Sequence, residues 1–171
     1  MSIRALMLRR ELDLDLREFA RDYLDTEAVG AACRSCPRYG ATWACRPFDF
    51  DVSDLLGRYS RLRLFACTFE PGGADVSFES LRPVRDALNA EILALEQSEG
   101  GFATYFGGSC TLCRECTRPL GLPCRHPEKM RPSLEALGFD LCRALEDKFH
   151  IRLDWSPSPR EITLVAALLH N

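Results

Sequence analysis

The 171-residue chain is 46% hydrophobic and 27% charged, the balance of one ordinary globular domain that buries a core of its own. A formal net charge of -3 and a pI near 5.7 deny it the basic field that draws in a phosphate backbone, so no nucleic-acid partner is expected. No run approaches the roughly 20 apolar residues that cross a bilayer, and the opening MSIRALMLRRELDLDL turns acidic early; no membrane partner is expected, and the chain reads as cytoplasmic.

Residues 15–25 place Leu16, Phe19, Ala20, Tyr23 and Leu24 at helical spacing behind Asp15, a suitable N-cap. From 31 to 50 the pattern breaks into Cys, Pro, Gly and Arg and reads as a loop shaped by something other than an apolar face. Ser53 is placed to cap a short helix carrying Leu55, Leu56 and Tyr59, and 62–69 is apolar on both alternating sets, the mark of a buried strand ended by Pro71-Gly72-Gly73. A long helix is expected over 80–99, with Leu81, Val84, Leu88, Ile92 and Leu95 on one face, Pro83 in its first turn and Gly100-Gly101 as its stop.

Residues 102–106 form a short aromatic strand leading into Gly107-Gly108 and a second cysteine-rich loop that runs to about Pro132. Ser133 is then placed to cap a third helix striped by Leu134, Leu137, Leu141, Leu145 and Phe149, and strands are expected at 151–153 and 162–169. The fold expected is α+β, a small mixed β-sheet covered by helices, in one cysteine-rich domain spanning 1–171, with two metal-binding loops near element ends.

Nine cysteines, an odd number in a chain too long to need disulfide staples and without an export signal, point to metal rather than to disulfides. Seven fall in the two loops: Cys33, Cys36 and Cys45, then Cys110, Cys113, Cys116 and Cys124. Two residues between cysteines let both thiolates face one centre while nearby amides donate to the sulfurs, a spacing that suits zinc and iron–sulfur sites alike. The third ligand at the same interval, Cys110-x2-Cys113-x2-Cys116, favours a 4Fe-4S cluster, since zinc sites combine two hairpins or a hairpin with histidines. Cys124 stands later than the fourth cysteine of the bacterial ferredoxin pattern and is followed by Arg125-His126-Pro127.

Cys33, Cys36 and Cys45 supply only three thiolates. Three partitions are open: a four-cysteine cluster on the second loop beside a three-cysteine site on the first, which is favoured; Cys124 crossing over to complete the first loop; or one site drawing on both. The spacing Cys33-x2-Cys36-x8-Cys45-Arg-Pro nearly repeats as Cys113-x2-Cys116-x7-Cys124-Arg-His-Pro, which suggests two related half-sites.

Arg34, Arg38, Arg46, Arg114, Arg118 and Arg125 interleave the ligands and are placed to balance cluster charge, although twenty of the 22 basic residues are arginine and each stands equally well as a solvated loop residue. Cys67 and Cys142 read as core residues behaving as small hydrophobes. His126 sits inside the second loop, in a supporting role rather than as a ligand, while His150 and His170 join no constellation. Glu96 and Glu135 read as carboxylates on helix surfaces, and Gly107-Gly108-Ser109 as a turn rather than an anion site. No nucleophile elbow, P-loop or dinucleotide fingerprint occurs.

The run Cys33-Arg-Ser-Cys36-Pro-Arg-Tyr39-Gly40-Ala-Thr-Trp43-Ala-Cys45-Arg-Pro47, the run Gly108-Ser109-Cys110-x2-Cys113-x2-Cys116, and the run from Pro123-Cys124-Arg125-His126-Pro127 to Leu137-Gly138 resemble the uncharacterised family labelled predicted metal-binding proteins. The resemblance extends from about Cys33 to the final strand. Arg46 and Leu134 stand where that family typically has Pro and Met, and neither change removes a ligand. The resemblance implies a metal site at the seven cysteines and supplies no substrate.

The leading expectation is an iron–sulfur protein with one or two 4Fe-4S clusters, exchanging electrons with a redox protein partner. A zinc-bound structural or interaction module, and an enzyme using an open three-cysteine iron–sulfur site as a Lewis acid, are the alternatives.

Overall fold

A computed structural model describes residues 7–72, 76–108 and 110–171; Gly73, expected to help end a strand, and Ser109, in the glycine turn, lie outside them. In chain order the elements are β1 (Leu8–Asp15), α1 (Leu16–Tyr23), α2 (Thr26–Arg34), α3 (Val52–Leu56), β2 (Arg61–Phe69), α4 (Arg82–Glu99), β3 (Phe102–Ala103), a 3-10 turn at Arg118–Leu120, α5 (Leu141–Phe149) and β4 (Ile162–His170). The four strands form one sheet in the order β1-β2-β4-β3, every ladder antiparallel. One isolated parallel bridge joins Tyr105 to Ser133. The α+β architecture is the one the sequence implies.

β2 and β4 form the middle of this sheet because both are apolar on both faces, a pattern only a strand covered on each side can bury. Their register sets Leu62, Leu64 and Ala66 opposite Leu169, Ala167 and Val165 on one face, and Phe65, Cys67 and Phe69 opposite Ala166, Leu164 and Ile162 on the other. Leu16, Phe19 and Tyr23 of α1, Leu55 and Leu56 of α3, and Ala144 and Leu145 of α5 pack on the first face together with Leu134, Leu137 and Phe139. The second face receives Leu88 and Ile92 of α4 with Ala103, Tyr105 and Phe106. Each such side chain taken fully from water contributes about 1.5–3 kcal/mol.

Asp15 caps α1 as its position implies, its carboxylate accepting from the Glu18 N–H at 2.9 Å. α4 carries Pro83 in its first turn. Where it ends, Gly101 adopts φ +105°, and a Cβ there would sit 2.1 Å from the Leu169 carbonyl oxygen, so only glycine lets the chain turn in to pair with β4.

The sequence reading is corrected in several places, among them the strand expected over 102–106, of which only Phe102–Ala103 pairs as β3. β1 is a strand that no helical or strand reading of the opening residues included. Residues 31–34, read as loop, are the last turn of α2, whose start is fixed by Asp25 accepting from the Ala28 N–H. Asp51, not Ser53, caps α3, accepting from the Ser53 and Asp54 N–H groups.

The helix expected from Ser133 begins only at Leu141. Ser133 accepts from the Ala136 N–H, but the single turn it starts stops at Gly138, with φ +111°, and Asp140 caps α5 anew. Residues 151–153 lie outside any strand.

The segment around Gly138 is stitched to the α1–α2 junction: the Asp25 N–H donates to Gly138 O at 2.9 Å, the Asp140 N–H to Tyr23 O at 2.8 Å, and Leu24 bridges Phe139. Phe139 is wholly buried against Phe19, ring centroids 5.3 Å apart. Phe139→Ala should therefore cost about 3–5 kcal/mol, read as a fall in the denaturant midpoint; a loss under about 1 kcal/mol would contradict this packing.

Candidate metal centre

The second cysteine loop leaves the sheet at Phe106, whose N–H donates to the Asn89 side chain of α4 at 2.8 Å, and returns at Pro132, whose carbonyl accepts from the Tyr105 N–H at 2.9 Å. α4 also holds Thr111, through Asp86 and through Arg82 donating to the Thr111 carbonyl. Thr117 donates to the Pro123 carbonyl at 2.8 Å, and Gly121, in the left-handed region, completes the reversal that brings Cys124 back beside Cys116. The result is convergence. Cys110, Cys113, Cys116 and Cys124 all line one cavity of about 210 Å³.

Two sulfurs in this cavity receive backbone N–H groups. The Leu112 amide donates to Cys110 and the His126 amide to Cys124 Sγ at 3.4 Å. Burial pushes the Cys110 thiol up to about 11, the Leu112 amide lowers it, and the nearby charges of Cys124, Cys113 and Cys116 raise it further. Arg38, Arg82, Arg114 and Arg125 share the lining. In the same lining Phe78 is sandwiched between two guanidiniums, Arg38 at 3.3 Å and the buried Arg85 at 3.6 Å from the ring centroid.

The first loop contributes Ala41, Thr42 and Trp43 to the same cavity, but not its cysteines. Cys33 lies in the last turn of α2, and tight turns carry the chain on, with the Cys36 N–H donating to Cys33 O and the Cys45 N–H to Thr42 O. Burial raises the Cys33 thiol; Arg46 pulls it back, while Glu135, Cys36 and Cys45 add to the rise, in that order.

Two arginines act as braces rather than as neutralising charge. Arg118 donates to the carbonyls of Thr42, Cys45 and Pro47 and lies over the Trp43 ring, so the second loop grips the first. Arg46 Nε donates to the Ala136 carbonyl at 2.7 Å, tying the first loop to the segment before Gly138. All nine cysteines are free thiols. Among the described residues, no three His, Cys, Asp or Glu side chains stand close enough to hold a single metal ion.

A family model described as predicted metal-binding protein (DUF2284) matches residues 20–170. The chain belongs to that family. The matched region contains all seven loop cysteines and begins after β1. No curated protein and no solved structure matches the chain. Among the described residues, no helix is long and apolar enough to cross a membrane.

Cys67 lies wholly buried in β2, its thiol pushed up to about 11 by burial. Cys142, read as a core residue, is instead exposed at the start of α5. His126 lines the cavity and faces Glu128 at 3.9 Å.

Neither glutamate is the surface carboxylate that the sequence suggests. Glu135 sits in the turn after Ser133, its Oε2 sealed from solvent with no hydrogen-bond partner among the described residues. Glu96 is largely buried: it accepts from Arg131 Nη2 at 2.5 Å, from Arg131 Nε at 2.9 Å and from the Ala103 N–H at 2.6 Å, locking the exit of the second loop to α4 and β3.

Burial raises the Glu96 carboxyl, but the Arg131 and Ala103 hydrogen bonds outweigh it and leave the group below its ordinary value of 4.5. A depressed carboxylate stabilises the fold above its unfolded pKa, and that stability is lost as pH falls through the folded value. Glu96→Gln should cost about 2–3 kcal/mol at neutral pH, and the gap between variant and wild type should close as the pH is lowered below 4.5. A gap that stays constant into that acid range would contradict the assignment.

Proposed function

We propose that the protein is an iron–sulfur redox protein in which Cys110, Cys113, Cys116 and Cys124 hold a 4Fe-4S cluster, Cys33, Cys36 and Cys45 belong to a second metal centre, and electrons pass to or from a protein partner. The observation that carries this reading is the set of four thiols from one loop around one cavity of about 210 Å³ walled by arginines. Such a volume suits a multi-atom centre, whereas a zinc ion needs only four thiolates at about 2.3 Å from one point. A bound cluster would supply one-electron chemistry.

The chain's own residues fit that role. The amides of Leu112 and His126 donate to two of the sulfurs, and hydrogen bonds of this kind stabilise the reduced, more negative state of a cluster. Arg38, Arg82, Arg114 and Arg125 place positive charge around the anionic thiolates. Burial of Cys110 keeps water from one side of the site. Leu112, Leu120 and Leu122 stand exposed within the same loop, an apolar rim suited to a transient redox partner. Because Arg118 braces one loop on the other, the two cysteine groups stay neighbours.

Protein purified without oxygen should be brown and should contain iron together with acid-labile sulfide. Cys116→Ser should remove the iron of the second loop, while Cys142→Ser, at an exposed cysteine outside both groups, should leave the iron content unchanged. A colourless protein carrying stoichiometric zinc and no sulfide would overturn the proposal in favour of the structural module.

A further inference from the structure

We propose that the surface hollow over Cys113 is the electron port of the second loop and that it docks an acidic electron-transfer protein. This rests on the redox reading of that loop and deepens it by naming the docking surface and the charge of the partner.

The four cysteines of the loop are not equivalent in position. Cys110 packs against the core face that holds Leu88, Ile92 and Tyr105. Cys113 lines the four-thiol cavity and also a second, open hollow of about 490 Å³, together with Leu112, Arg114, Glu115, Arg125 and His126. Cys110, Cys116 and Cys124 do not line that hollow. Cys113 is therefore the cysteine shared by the inside and the outside of the site, and an electron leaving through it crosses the least intervening protein.

The hollow is built from two strips of chain fixed on each other. Arg125 Nη1 donates to Glu115 O at 2.8 Å, the His126 N–H to Cys124 Sγ at 3.4 Å, and the Lys129 N–H to His126 O at 3.0 Å.

Charge defines the partner. Arg114 and Arg125 are exposed at the hollow, and Lys129 is exposed in the turn that starts at His126. Among the described residues none of these three cations stands in an ion pair. In a chain of net charge -3, residues 31–48 carry three arginines and no acid, and residues 110–132 carry five Arg or Lys against two Glu.

The cysteine-bearing segments are thus positive within an otherwise acidic molecule. Arg38 and Arg82 line the cavity but not the hollow, placed to meet the thiolates from inside and leaving the outer cations to a partner. Leu112, 37% exposed, adds an apolar contact of the size a transient complex uses. Opposite charges across such a contact steer the encounter and fix its register. No Phe, Tyr or Trp lines the hollow among the described residues, so it lacks the platform on which a single-stranded nucleic acid stacks its bases. The step moves one electron: the centre on the second loop is oxidised by one and the partner's cofactor is reduced by one, with no bond made or broken.

The test uses the full chain loaded anaerobically with iron and sulfide, reduced with dithionite and mixed with oxidised flavodoxin, an acidic FMN protein, as probe. Each rate is divided by the rate with neutral benzoquinone, which corrects for any change in the centre itself. The flavodoxin rate should fall about tenfold as salt rises from about 0.02 to 0.5 M, and about tenfold at low salt in Arg114→Glu. Lys129→Glu should lower it severalfold, and Arg152→Glu, on a different surface, should leave it unchanged. A carbodiimide, which joins carboxylates to amines, reads docking without any metal. Of the two lysines of the chain, Lys129 should be the one crosslinked to flavodoxin, and Lys148, which lies over the Tyr23 ring, should not.

With iron and sulfide bound, rates indifferent to salt and to both charge reversals would overturn the port. So would crosslinking through Lys148, or displacement of flavodoxin by a single-stranded RNA oligonucleotide of equal charge. Where Arg114→Glu fails to take up iron, Lys129→Glu, outside the cavity lining, decides alone. A chain that holds neither iron nor sulfide would instead overturn the redox reading itself, and the port with it.

Discussion

The carbonyl oxygens of Thr42, Cys45 and Pro47 converge on the guanidinium of Arg118, and on that junction depends whether the two cysteine groups share a neighbourhood. The contacts that join the two loops are polar. Arg118 reaches back from the second loop, the Trp43 indole N–H answers with a bond to Leu122 O, and Arg46 ties the first loop to Ala136. A planar guanidinium with five donors suits such work better than an ammonium would. Part of the arginine excess thus has a structural use that composition alone does not reveal, since Arg46 and Arg118 satisfy backbone carbonyls that loops otherwise leave to water.

The core was legible where one period held over a whole element. β2 and β4 announce themselves by apolar runs, α4 by its stripe and its Pro83 start, and α1 by Asp15. β1 was missed because its alternation is carried by Leu8, Leu12 and Leu14 among charges, and as an edge strand it is mostly exposed, so burial never sharpened the signal. The stripe through Leu134 and Leu137 is real burial without a helix: Gly138 breaks the backbone, and a Cβ there would meet Arg46 at 2.9 Å. A period of buried leucines identifies a core face, and the turn geometry that delivers it is set by tertiary packing.

The same division runs through the candidate site. Seven cysteines stand out by spacing because such loops are local in sequence, and four of them line one cavity. The burial of Glu135, read as a surface carboxylate, was not legible because it is created by the stitching of residues 133–140 onto the α1–α2 junction, contacts separated by more than a hundred residues in sequence. Among the described residues, Glu135 Oε2 and Arg85 Nε are the buried side-chain atoms without hydrogen-bond partners, and both belong to residues that approach Gly108. Both exceptions thus lie next to the glycine turn that leads into the second cysteine loop.

The proposed function puts one metal centre in the four-thiol cavity and a second at Cys33, Cys36 and Cys45. Anomalous diffraction at the iron edge, from crystals grown without oxygen, tests it most directly. Two separate iron peaks are predicted, the first enclosed by Cys110, Cys113, Cys116 and Cys124 and the second at Cys33, Cys36 and Cys45. A single peak shared by both loops, or anomalous signal at the zinc edge alone, would contradict it.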